Sequence, residues 1–109
     1  MAHKRLPKGS KMLGKWHRTD YLPTDEYEMG YAFGAPKYVY VEYEIAEVEY
    51  YGFGTPFIAN AVRVTVWRTD PYGYIAERCY RQAFYGETAE DDARREGTDH
   101  AMKEVYATA

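Results

Sequence analysis

The sequence predicts a small α+β domain, an antiparallel β-sheet of about three strands in a meander with a C-terminal helix packed on one face. Three stretches carry that prediction. Residues 38–51 read YVYVEYEIAEVEYY and alternate apolar with polar side chains. Residues 57–69 read FIANAVRVTVWRT and alternate valines with polar positions. After Gly86, a segment led by Thr88 opens with acids and carries a small residue at every fourth position. Alternation among β-branched and aromatic residues marks half-buried strands, and a four-residue period marks a helix.

Taken in order, residues 1–18 are rich in Lys, Gly, Pro and Ser and have no period. They predict a basic arm that is flexible, either mobile or extended, ahead of a single α+β domain at 19–109. Residues 19–29 are polar and turn-prone, with room for at most one helical turn at Thr24-Asp25-Glu26. In the first strand Val39, Val41, Tyr43 and Ile45 share one side, and Tyr38, Tyr40, Glu42 and Glu44 the other. Glu47 breaks the phase, and Val48 and Tyr50 continue on the opposite parity. That slip predicts a β-bulge or a crossing between faces near Ala46, the alternative being a strand that ends at Ile45. Residues 31–36 (YAFGAP) and 51–56 (YGFGTP) read as two similar loop solutions and not as a duplicated module, since such a match arises readily in a Tyr-rich chain. In the second strand Val62, Val64 and Val66 oppose Arg63, Thr65 and Trp67, so pairing with the first would set Glu42 and Glu44 against Arg63 and Thr65.

The next segment supports two readings. Asp70-Pro71-Tyr72-Gly73 fits a type I turn into a third strand, yet Asp70 and Pro71 also suit a helix start. Ile75, Ala76, Cys79, Tyr80, Ala83 and Phe84 form a helical stripe. The strand is preferred because a two-stranded ribbon is a weak platform. In the final helix, Glu90, Asp91 and Asp92 occupy the first turn, where the dipole favours acids. Ala89, Ala93, Gly97, Ala101 and Val105 form the stripe that faces the sheet, with Gly97 expected to kink or split the helix and Thr98 to recap it.

A chain of 109 residues supports one core. Its 46% hydrophobic and 28% charged content are ordinary for a globular protein, whereas 13 tyrosines suit sheet faces and binding surfaces. One cysteine, Cys79, excludes an internal disulfide and fits a reducing compartment. With neither a membrane-length apolar run nor an apolar signal core, the expected location is cytoplasmic, with no membrane partner. His3, His17 and His100 are scattered, and the line Glu96, His100 and Glu104 reads as a solvated helix face. No catalytic, cofactor or metal residue is assigned, so an enzyme is not expected.

Charge is divided along the chain. Residues 1–18 hold six basic residues and no acid, and the remainder holds eight basic against seventeen acidic. The first functional expectation is therefore a non-enzymatic protein-binding module, of the kind that inhibits or modulates a nucleic-acid-binding protein by covering its basic surface. Tyr38, Tyr40, Glu42, Glu44, Glu90, Asp91, Asp92 and Glu96 would form that acidic, Tyr-rich surface. The alternative is nucleic-acid binding through the arm, by Lys4, Arg5, Lys8, Lys11, Lys15, Trp16 and Arg18. Homo-oligomerisation is compatible with either.

Overall fold

The structure, a computed structural model, describes residues 2–32, 35–51, 54–69 and 75–107, with the backbone alone described at 29–32, 35–37, 75–76 and 107. The elements are β1 (Lys11–Met12), β2 (His17–Arg18), β3 (Asp25–Ala32), β4 (Ala35–Tyr50), β5 (Phe57–Thr69), β6 (Ile75–Phe84) and α1 (Ala89–Ala107). All six strands form one antiparallel sheet. β3 to β6 make a meander, while β1 and β2 extend the β3 edge of β4. The α+β architecture with the helix against the sheet is the one read from the sequence, with three more strands than expected.

β4 and β5 pair without a break from Val39↔Arg68 to Tyr50↔Phe57, with Glu42 opposite Thr65 and Glu44 opposite Arg63. There is no bulge at Ala46. The phase slip instead marks a change in which face is covered. Val39, Val41, Tyr43 and Ile45 join Val62, Val64, Val66 and Phe84 in a core closed by Leu22 and the helix alanines. Val48, Tyr50 and Ala61 form a second core on the opposite face, covered by Leu6, Met12 and Trp16. One regular strand thus buries odd residues at one end and even residues at the other.

Those covering side chains come from the N-terminal segment, which runs extended across the sheet. His3 bridges Tyr85, the Gln82 amide donates to the Lys4 carbonyl, and β1 and β2 pair with β4. Trp16 meets Tyr85 edge-on at 6.3 Å, and the Arg63 guanidinium lies 5.2 Å from its ring centre.

Two segments differ from their sequence reading, or resolve it. Residues 25–32 form a strand, not a turn region: Asp25 to Glu28 pair with Val41 to Tyr38, and Tyr27 packs on the helix-side core. Asp, Glu and Gly have low strand propensity, and here the β4 edge overrides it. Residues 75–84 form the preferred third strand, and its helix-like stripe has a cause. Pairing passes from Val66↔Tyr80 to Trp67↔Arg78, and from Arg68↔Glu77 to Thr69↔Ile75. The extra residues, Cys79 and Ala76, each invert the alternation that a strand would otherwise display. The turn at 70–73 lies outside the described residues, as do the Phe-Gly and Gly-Phe centres of the two YxFGxP loops.

α1 is continuous through Gly97 and is not split there. Ala89, Ala93, Gly97 and Ala101 are buried against the sheet, as the four-residue period predicts. Gly97 leaves no room for a side chain: a Cβ there would stand 2.9 Å from Val41 Cγ1 and Val64 Cγ2, and 3.0 Å from the Tyr43 hydroxyl. Burial pushes the Tyr43 phenol up to about 12. Toward the helix C-terminus, Arg68 of β5 pairs with Glu104 at 3.2 Å and also with Glu77 of β6.

The N-terminal end of α1 is held by Asp92, which is 6% exposed. Its carboxylate accepts from the Ala2 amide at 2.8 Å, the Thr88 hydroxyl at 3.0 Å and Arg95 at 2.5 Å. The Ala2 bond foremost, then Thr88 and Arg95, hold its pKa below the ordinary carboxylate value. A depressed acid contributes stability above its unfolded pKa and loses it as pH falls through the folded one. Denaturant midpoints of wild type should therefore fall below about pH 4 more steeply than those of Asp92→Asn, which should be the less stable protein at pH 7. Parallel acid limbs for the two proteins would show that this cluster carries no such stability.

Candidate functional site

Among the described residues, none covers the sheet face opposite the helix over the Tyr38–Glu44 half of β4, the open face of the sheet. Its composition follows from register, because cross-strand partners share a face. One row holds Glu28 and Tyr38; the next holds Glu26, Tyr40, Trp67 and Arg78. The following rows hold Glu42, Thr65 and Arg81, then Arg18, Glu44 and Arg63. Beyond them the face passes into the second core, beneath the N-terminal segment.

The tyrosines form a pair. Tyr38 and Tyr40 are two residues apart on one strand, with ring centres 5.9 Å apart, and both are half-buried. Tyr38 is fixed by its backbone: the Thr69 hydroxyl accepts from its N–H at 2.9 Å and donates to its carbonyl at 3.1 Å. Burial chiefly, then the nearby Glu26 carboxylate, raises the Tyr40 phenol, which therefore stays protonated and able to donate. Across from Tyr40, the Trp67 indole N–H is buried with no hydrogen-bond partner among the described residues. An orphaned donor of this kind costs roughly 1–3 kcal/mol.

The charges on this face are zoned. Glu26, Glu28 and Glu42 lie on β3 and β4, and no ion pair engages them among the described residues. Arg78 and Arg81 lie on β6. Between these zones Arg63 donates twice to one Glu44 oxygen, at 2.8 and 3.0 Å, so Glu44 is already occupied. The Arg81 Nε donates to Thr65 at 3.0 Å, and burial foremost, then the neighbouring Arg63 and Arg78, lower its pKa.

The expected acidic residues do not share one surface. Tyr38, Tyr40, Glu42 and Glu44 are on the open face, whereas Glu90, Asp91, Asp92 and Glu96 belong to the helix on the other side. Asp92 is consumed in the helix-end cluster, and Glu96 sits 3.7 Å from His100, whose ring stacks on Tyr80 at 3.6 Å. Only Asp91 of the four is exposed. In the arm, Lys4, Arg5, Lys8, Lys11, Lys15 and Arg18 are exposed, with Arg18 donating to Thr24. Trp16 is partly buried and packs on the second core. No group of three or more His, Cys, Asp or Glu residues is placed to hold a metal ion among the described residues.

Sequence reading missed Trp67, Glu26, Glu28, Arg78 and Arg81. Trp67 shares parity with Arg63 and Thr65, so a register aligned on Glu44–Arg63 would have found it. The other four depended on pairing an unsuspected strand and on the β6 bulges.

Comparison with protein-family models, curated proteins and solved structures found no match for this chain.

Proposed function

We propose that this chain is a non-enzymatic protein-binding module that receives a basic surface of its partner on the β3–β4 half of the open sheet face. The observation that carries the reading is the Tyr38–Tyr40 ring pair, flanked by Glu26, Glu28 and Glu42, which no ion pair engages among the described residues. Rigid amphipathic rings give contact area at small entropic cost, and carboxylates around them steer a cationic surface into register. A partner whose basic surface ordinarily holds nucleic acid would be blocked by such cover, which makes the module an inhibitor or modulator.

The test is affinity capture from the source cell with wild type, Tyr40→Ser and Glu26→Lys/Glu42→Lys, with the variants' fold checked by circular dichroism. A partner retained by wild type and lost from both variants supports the reading. Retention of the same proteins by all three places binding elsewhere.

A further inference from the structure

The far end of the β4–β5 hairpin combines two features that the open face does not use. Tyr51, Phe57 and Ile58 are exposed there by 43%, 47% and 57%. The Phe57 ring stacks on Tyr50 at 5.1 Å with planes 27° apart, so one side is supported and the ring remains half-exposed. The basic arm is tied to the same place. Tyr51 N–H donates to the Ser10 hydroxyl at 3.2 Å, Gly9 approaches Tyr51 Cβ, and Lys11 pairs across from Glu49. Register sets Lys11, Glu49 and Ile58 in one row, on the face opposite Tyr50 and Phe57. Lys8 precedes Gly9 at Tyr51, with Lys4, Arg5 and Lys15 further along the arm; all five are exposed, and no acid pairs with them among the described residues. The acids nearby are Glu47 and Glu49, and the Glu49 carboxylate accepts from the Tyr51 hydroxyl.

We infer that this end binds single-stranded nucleic acid that passes around the hairpin end, with Lys8 and Lys11 on backbone phosphates at the Tyr51 side and Tyr51 and Phe57 as stacking platforms for unpaired bases on its two faces. Cations release counterions from phosphate, and a ring braced on one side offers its other side to a base without further ordering. A duplex presents no free base faces to such rings, and this selects the single strand. The site is separate from the open-face reading: residues 38 and 50 are about 40 Å apart along β4.

The experiment is fluorescence anisotropy with an oligothymidylate of about twelve nucleotides, a duplex of equal length and anionic phospholipid vesicles, between about 50 and 200 mM salt. Wild type should bind the single strand, less tightly as salt rises. Lys8→Gln/Lys11→Gln should reduce the log–log salt slope by about 1.4. Phe57→Ala should weaken binding roughly 5- to 150-fold without changing that slope, and Phe57→Tyr, which keeps a ring, should bind like wild type. Absence of salt-sensitive binding, equal affinity for the duplex, or indifference to Phe57→Ala overturns the inference. Capture by the vesicles without oligonucleotide binding overturns it too, and assigns the site to a lipid surface.

Discussion

Gly97→Ala should lower the thermal midpoint, although alanine is the better helix former. On propensity alone the substitution would stabilise the helix by about 1 kcal/mol. The new methyl would meet Val41 and Val64 at 2.9 Å and the Tyr43 hydroxyl at 3.0 Å, on two adjacent central strands. Overpacking of this kind costs roughly 1–3 kcal/mol, because a sheet hydrogen-bonded on both sides cannot retreat. A net loss of up to about 2 kcal/mol corresponds to a midpoint lower by up to about 15 °C in a domain of this size. Adding Tyr43→Phe removes one of the three contacting atoms and should recover part of the loss, measured as a double-mutant cycle. A rise in midpoint for Gly97→Ala alone would mean that the helix rides higher over the sheet.

Removing residues 2–18 should unfold or aggregate the protein, in contrast to what a solvated tail would do. The deletion strips Leu6, Met12 and Trp16 from Val48, Tyr50 and Ala61, which are 0%, 5% and 0% exposed in the intact chain. It also bares the β4 edge that β1 and β2 cover, an invitation to pair with another chain. The loss of several kcal/mol is comparable to the whole stability of a small domain, about 5–15 kcal/mol. Trp16→Ala alone should cost about 2 kcal/mol, below the fully buried value because the indole is half-exposed. Neutralising Lys4, Arg5, Lys8, Lys11 and Lys15 to Gln should leave the denaturant midpoint nearly unchanged, since exposed charges contribute little. Equal midpoints for the truncated and intact chains would show that the second core is dispensable. The neutralised variant, not the truncation, is therefore the one in which to test the arm's binding.

The parts of the fold legible in the sequence are those where one residue pattern meets one environment. The valines of β5, the alternation through Val39 to Ile45 and the small-residue stripe of α1 each face a single layer, so period and burial agree. β3 was missed because its acids and glycine oppose strand formation locally, and only the β4 edge holds them there. The slip at Ala46 was seen but not its cause, since a change of covering layer and a bulge leave the same trace in a sequence. The candidate site was legible in half. Tyr38, Tyr40 and Glu42 follow from parity, but the helix acids were grouped with them because a sequence does not say which side of a sheet its helix will take.

By itself, then, the sequence determined the elements set by local periodicity: two long strands, the closing helix with its acidic opening, and the faces on which tyrosines and valines divide. The tertiary structure decided what each face meets. It turned Gly97 from an expected weak point into a position with no room for a side chain against Val41, Val64 and Tyr43, and set Trp16 on a second core that no periodicity announced. The physical reason is that periodicity is written in neighbouring residues. Burial depends instead on which distant segment arrives, here Leu6 to Trp16 across some forty positions of chain, and that is fixed only when the whole sheet has formed.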